Sequence, residues 1–132
     1  MKYQKLGKTD LKASVVSFGT WGVGGGSVWQ DTSVDTAELE NLLDAAADLG
    51  INYIDTAPVY GTGRSETLLG LALKNGRRDK FLLQTKCSLN WRNEGGNLHY
   101  ERDGFTVRND TSAKAVRRDV EDSLKRMQTD RI

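Results

Sequence analysis

Three residues that together can move a proton at neutral pH, Asp55, Tyr60 and Lys86, stand in this 132-residue chain. A free tyrosine has a pKa of about 10, too high for efficient exchange of its proton near pH 7, so a catalytic tyrosine needs a nearby cation that favours the phenolate. Lys86 can be that cation. Desolvation pushes a lysine toward its neutral form, and a carboxylate such as Asp55 would hold it charged. The chemistry on offer is general acid–base catalysis, with Tyr60 carrying the proton, Lys86 beside it and Asp55 supporting Lys86. The same residues also fit a plain Asp–Lys ion pair at a strand end next to an exposed loop tyrosine, since ion pairs occupy such places without function.

For the three to meet, the chain must bring them to one edge. Val15-Val16-Ser17-Phe18 is a β-branched and aromatic run that reads as a strand, and five glycines follow between Gly19 and Gly26. Beyond Asp35, Leu39, Leu42, Leu43, Ala46 and Ala47 recur at helical spacing, with Asp35 and Glu38 as a capping box and Gly50 as the stop. Ile51-Asn52-Tyr53-Ile54-Asp55-Thr56 reads as the next strand. Ser65 is placed to cap a second helix carrying Leu68, Leu69, Ala72 and Leu73, and Phe81-Leu82-Leu83-Gln84-Thr85-Lys86 reads as a third strand. The stretch from Lys86 to about Asp110 reads as irregular, a length typical of lids and binding loops. A last helix is predicted from about Ser112 to Met127, with Val116, Val120, Leu124 and Met127 on one face. Alternating strands and helices imply right-handed crossovers and a parallel sheet, hence an α/β fold whose chemistry lies at the carboxyl ends of the strands. Asp55 and Lys86 are one βαβ repeat of roughly thirty residues apart, so they are expected at the same height on neighbouring strands.

Composition removes several classes of function. Nineteen Lys and Arg against 18 Asp and Glu leave a net charge of +1, a balance that argues against a nucleic-acid or polyanion binder. No run approaches the roughly 18 apolar residues of a membrane span. Met1-Lys2-Tyr3-Gln4-Lys5-Leu6 leads into Gly7-Lys8-Thr9-Asp10 instead of an apolar segment, so no secretory signal is expected. The lone Cys87 excludes an intrachain disulfide framework and a multi-cysteine zinc site. A soluble protein of the reducing cytoplasm, without a metal, is the expectation.

Leu6-Gly7-Lys8-Thr9-Asp10-Leu11, Phe18-Gly19-Thr20-Trp21-Gly22, the run from Gly50 through Asp55-Thr56-Ala57-Pro58-Val59-Tyr60-Gly61, Gly63-Arg64-Ser65-Glu66 and Thr85-Lys86-Cys87 follow one another in the order of a known family. The chain resembles the aldo-keto reductases from residue 6 to its C-terminus, above all bacterial members with a glycine-rich first loop and a long insertion after the third strand. The resemblance implies a (β/α)8 TIM barrel closed below by an N-terminal β-hairpin, here Tyr3 to Leu6 against Leu11 to Ala13. Residues 1–132 would be the N-terminal portion of a single barrel domain, with about the first three βα units. The resemblance further implies NADP(H), less often NAD(H), and hydride transfer between the nicotinamide and a small-molecule carbonyl (an aldehyde, ketone or sugar) or alcohol.

Asp55, Tyr60 and Lys86 occupy three of the family's four catalytic places, with Tyr60 the general acid in reduction and the base in oxidation. Gly19, Thr20, Trp21 and Asp55 would border the cofactor, and Trp21, Trp29 and Trp91 the substrate, although each tryptophan also reads as packing beneath a loop. The fourth place, a histidine after the fourth strand, has no counterpart before Ile132, and His99 reads as a solvated loop residue. A complete barrel takes about 250 residues. The chain is therefore expected to be a fragment, inactive alone, with a site completed by the remainder of the barrel. An alternative on the same fold is a non-catalytic binding or regulatory subunit, as in channel-associated β-subunits; joint retention of Asp55, Tyr60 and Lys86 favours the enzyme. Gly22, Gly24, Gly25 and Gly26 do not open a helix at once, as a Rossmann fingerprint must, and read as a loop that folds over the rim. Cys87 has no partner base in view and reads as a small rim or core residue.

Overall fold

An antiparallel hairpin of β1 (Tyr3–Lys5) and β2 (Lys12–Ser14) begins the chain, with Tyr3 opposite Ser14 and Lys5 opposite Lys12. The computed structural model describes residues 1–28 and 34–132. Three strands then form a parallel sheet in the order β3 (Phe18–Gly19), β4 (Tyr53–Asp55) and β5 (Leu82–Gln84). Helices α1 (Thr36–Asp48) and α2 (Arg64–Ala72) make the crossovers between them, and α3 (Ala113–Met127) closes the described chain.

The helices form where spacing and caps dictate. The Asp35 side chain accepts from the Glu38 amide at 2.8 Å and the Ser112 side chain from the Ala115 amide at 3.3 Å, each cap contributing about 1 kcal/mol. Leu39, Leu43, Ile54 and Leu69 have no exposed surface and meet Leu83 and Met127 in one core between sheet and helices. Each such side chain stabilises the fold by about 1.5–3 kcal/mol relative to an exposed one. That core fixes the height of the β4 and β5 ends, and with them the rim where Asp55 and Lys86 emerge.

Three local expectations are corrected. Val15 and Val16 are exposed and pairing begins only at Phe18, because the chain first completes the hairpin, Val15 N donating to Lys2 O at 3.0 Å. Ser65 does not cap α2; Gly63 precedes the helix in a left-handed conformation (φ +88°), and Ser65 sits fully buried in the first turn. The stretch after Lys86 is a second sheet, with β6 (Leu89–Asn90), β7 (Asn97–Arg102) and β8 (Phe105–Asn109) antiparallel in the order β6-β8-β7. Arg102 faces Phe105 across the two-residue turn Asp103-Gly104, both at positive φ (+53° and +77°), the backbone that a tight hairpin requires.

This inserted sheet is anchored by polar groups. The fully buried Asp119 of α3 accepts from the Ser88 amide and from Asn90 Nδ2, both at 2.8 Å. Asn93 Nδ2 donates to Ser88 O at 2.7 Å and to Arg108 O at 2.8 Å. Buried carboxylates and amides are tolerated only when so satisfied; the Asp119 bonds fix the sheet on α3, and the Asn93 bonds tie its segments together.

Candidate active site

Asp55 is the last residue of β4, and Lys86 lies two residues beyond the end of β5. The register pairs Asp55 with Gln84, so Lys86 stands two residues higher than its expected level and its long side chain reaches back. Its ammonium donates to Asp55 Oδ1 at 2.8 Å, to Thr56 O at 3.0 Å and to Tyr60 Oη at 3.1 Å. A lysine has three N–H donors and no acceptor, so all three are used and the Tyr60 oxygen must be the acceptor. The hydroxyl proton of Tyr60 is therefore not engaged with the ammonium. Partial burial is the largest single influence on Lys86 and works against its charge, but hydrogen bonds to Asp55 and Tyr60 and attraction to both outweigh it. The ammonium is held above the ordinary lysine pKa, and it stays charged wherever an enzyme ordinarily works.

Tyr60 is placed mainly through backbone. Its amide donates to Ala57 O at 3.1 Å and its carbonyl accepts from the Ser65 amide at 3.2 Å. The glycine-rich loop lies directly on it: a Cβ at Gly24 would come within 2.6 Å of the Tyr60 carbonyl carbon, and one at Gly61 (φ +58°) within 2.0 Å of Gly24 O. Two backbones approach this closely only without side chains between them. The Trp21 ring stacks on Tyr60 with centroids 6.0 Å apart.

Beneath the rim, Thr20, Thr56 and Ser65 form a buried hydroxyl knot. Ser65 Oγ lies 2.9 Å from Thr20 Oγ1 and 3.1 Å from Thr56 Oγ1, and Thr20 donates from both its amide and its hydroxyl to Asp55 O at 3.0 Å. Glu66, also without exposed surface, accepts from Thr85 Oγ1 and from Arg126 Nε, both at 2.6 Å. The residue before Lys86 is thus tied to α2 and α3 together.

A cavity of about 200 Å³ opens over Tyr60, lined among others by Trp21, Val28, Val59, Tyr100 and Phe105. A larger one of about 590 Å³ follows β5 at the edge of the parallel sheet and contains none of Asp55, Tyr60 and Lys86. Among the described residues no group of three or more His, Cys, Asp and Glu side chains is arranged to hold a metal ion, and no helix is long and apolar enough to cross a membrane.

A sequence profile of the Aldo/keto reductase family matches residues 15–132. The chain belongs to this family. Over its whole length it is 41% identical to aldo-keto reductase YhdN of Bacillus subtilis and 36% identical to an NADH-specific methylglyoxal reductase of Escherichia coli. In structure it is similar to the holo form of aldo-keto reductase AKR11C1 from Bacillus halodurans, with a TM-score of 0.71 at 35% identity over 98% of this chain and 37% of that one. It spans 36% and 40% of the length of the two sequence relatives. The three parallel strands with their crossover helices are a part of the aldo-keto reductase (β/α)8 barrel.

Of the site residues named from sequence, Asp55, Tyr60 and Lys86 meet within hydrogen-bond distance, and Gly19 and Trp21 stand beside them as exposed residues. Thr20 is fully buried and turns its hydroxyl to Asp55 O. Trp91 packs under the Arg126 guanidinium (5.4 Å) and edge-on to Phe105 (6.3 Å), outside the lining of the cavity over Tyr60. Trp29 lies outside the described residues. His99, expected to be solvated, is exposed on β7 and stands at the cavity margin. Tyr100 and Phe105 were not singled out, although Asp103-Gly104 between two patterned runs is a hairpin signal that would have found them.

Proposed function

We propose that residues 1–132 form the first part of a single aldo-keto reductase barrel, and that the complete protein interconverts small carbonyl compounds (aldehydes, ketones or sugars) and alcohols with a nicotinamide dinucleotide. The bound dinucleotide, NADP(H) or NAD(H), supplies or accepts the hydride at the carbonyl carbon. The residues fit that group: Gly19 is exposed at the open end of β3, where an added Cβ would meet nothing within 4 Å, next to the exposed Trp21 and half-buried Asp55. Gly19, Trp21 and Asp55 would hold its nicotinamide end, with Thr20 supporting them from below. A relative is named NADH-specific, so both dinucleotides belong in the assay. A cytoplasmic setting suits the one exposed thiol, Cys87.

Tyr60 gives its hydroxyl proton to the carbonyl oxygen as that oxygen gains charge, which leaves a phenolate. The Lys86 ammonium, 3.1 Å from Tyr60 Oη, stabilises that phenolate without giving up its own proton, because Asp55 and Thr56 O hold the other two donors. Solvent then returns a proton to Tyr60. In oxidation the phenolate takes the alcohol proton. General acid catalysis of this kind is worth about 10²- to 10⁴-fold. The observation that carries the reading is the saturated Lys86 ammonium, which engages Asp55 and Tyr60 at once.

The test is Tyr60→Phe in the complete barrel, assayed for carbonyl reduction with NADPH and with NADH. Reduction is expected to fall at least about 100-fold while dinucleotide binding, followed by fluorescence quenching, stays within about twofold of the unaltered protein. Unchanged turnover refutes the role of Tyr60. Dinucleotide binding without turnover on any carbonyl would favour a regulatory barrel subunit.

A further inference from the structure

The inserted sheet faces the catalytic tyrosine with one side. Tyr100 pairs with Val107 and Arg102 with Phe105 across β7 and β8, so these four share a face of the sheet. All four line the cavity over Tyr60. Across the opening, Trp21 and Val28 belong to the glycine-rich loop, and Ser27 Oγ in that loop donates to Asp103 Oδ2 at 3.0 Å, joining the loop to the hairpin turn. Residues 76 apart in sequence thereby bound one space.

The chemistry of that space is uneven. Trp21, Val28 and Phe105 are large apolar side chains left 51%, 43% and 41% exposed, and all three border this cavity. Apolar groups gathered around a concavity suit an apolar ligand group. Phe105 is also backed by a chain of contacts. Trp91 meets its ring edge-on, Arg126 covers Trp91, and the buried Glu66 holds Arg126. The volume, about 200 Å³, exceeds the roughly 150 Å³ in which a benzene molecule is known to fit.

We propose that Phe105 is a specificity-determining residue whose ring, backed by Trp91, forms an apolar wall that selects carbonyl substrates carrying an aryl substituent over short aliphatic ones. This rests on the reading that Tyr60 protonates the substrate oxygen. With the oxygen at Tyr60 Oη, a planar substituent enters the cavity that Trp21, Val28 and Phe105 border. A two- or three-carbon aldehyde leaves most of their surface wet and gains little from it.

The experiment compares benzaldehyde and propanal as substrates of the complete barrel, with Phe105→Ala and the larger-volume Phe105→Leu. Phe105→Ala is expected to lower kcat/KM for benzaldehyde about tenfold or more, chiefly through KM, while propanal changes less than about twofold; the loss of ring contact sets that scale. Phe105→Leu should fall between. Dinucleotide affinity, measured in parallel, stays unchanged and reports that both variants are folded. Equal losses on both aldehydes, or no loss on either, overturn the proposal. Binding of benzyl alcohol and of propanol in the presence of the oxidised dinucleotide is measured by fluorescence quenching as a readout independent of turnover. If the protein reduces neither aldehyde yet binds benzyl alcohol at least about tenfold better than propanol in a Phe105-dependent way, the catalytic reading fails and the apolar wall stands. If benzyl alcohol is not preferred, the wall is refuted whatever the turnover.

Discussion

Replacing Glu66 by Gln tests whether the rim is held from below. Glu66 is fully buried in the first turn of α2, and its two oxygens accept, each at 2.6 Å, from Thr85 Oγ1 and Arg126 Nε. Glutamine keeps the shape and one acceptor oxygen, which can serve only one of the two donors. With that oxygen on Arg126 Nε, its NH2 group faces Thr85 Oγ1, whose hydroxyl can turn to accept, so the loss is the charge that neutralises Arg126. Breaking a buried pair by removing one partner costs about 3–5 kcal/mol. The Arg126 side chain keeps 17% of its surface exposed, and water reaching it places the loss at the lower end, about 3 kcal/mol. At a slope of about 3 kcal/mol per molar urea, as suits a chain of that size, the unfolding midpoint of the complete barrel falls by about 1 M. Apolar residues of similar volume often replace such a pair without loss, so Glu66→Met combined with Arg126→Met should regain most of the midpoint. A Glu66→Gln loss below about 0.5 kcal/mol, the size of an exposed pair, would refute the reasoning. A double variant no better than the single would do the same.

Two further expectations follow from the geometry. Gly61→Ala places a Cβ 2.0 Å from Gly24 O at φ +58°, whereas Gly7→Ala at φ +55° meets nothing within 4 Å. Both should lose about 1 kcal/mol to left-handed strain, but only Gly61→Ala should also lower carbonyl reduction, by displacing Tyr60; equal behaviour in thermal unfolding and turnover would show that the contact carries nothing. Lys86 has a pKa raised in the folded state, burial opposing and the bonds to Asp55 and Tyr60 prevailing. Its charge therefore stabilises the fold fully below the ordinary lysine pKa of about 10.5, and that contribution disappears as pH rises through the folded value. The stability difference between the unaltered protein and Lys86→Met should be flat from pH 6 to 9 and shrink only in the strongly alkaline range; a change centred near pH 7 in denaturant titrations would contradict the assignment.

The parts of this molecule that follow from periodicity were legible in the residues. Leu39, Leu43 and Ala46 announce α1 because one helical face must be buried, and Ser112 and Asp35 announce helix starts because few residues can satisfy free amides. The strand–helix alternation led to the parallel sheet, and the interval between Asp55 and Lys86 led to their meeting. What failed depended on contacts distant in sequence. Ser65 has the composition of a cap, but Thr20 and Thr56 compete for its hydroxyl. Val15 and Val16 have β propensity but lie where the hairpin is completed, with no partner strand beside them among the described residues. The second sheet was missed because Asn97 to Asn109 bury little apolar surface, so their pattern carried little hydrophobic contrast, and the sheet is held instead by Asp119 from a helix that comes later.

That last arrangement separates two inheritances within one chain. The residues proposed for proton transfer rest on the core through Thr20, Ser65 and Glu66, whereas the sheet bearing Tyr100 and Phe105 is moored to α3 by Ser88, Asn90, Asn93 and Asp119. A hairpin exchanged between relatives together with those four moorings would travel as a cassette. New substrate preferences could then be grafted on while the chemistry at Tyr60 was left as it is.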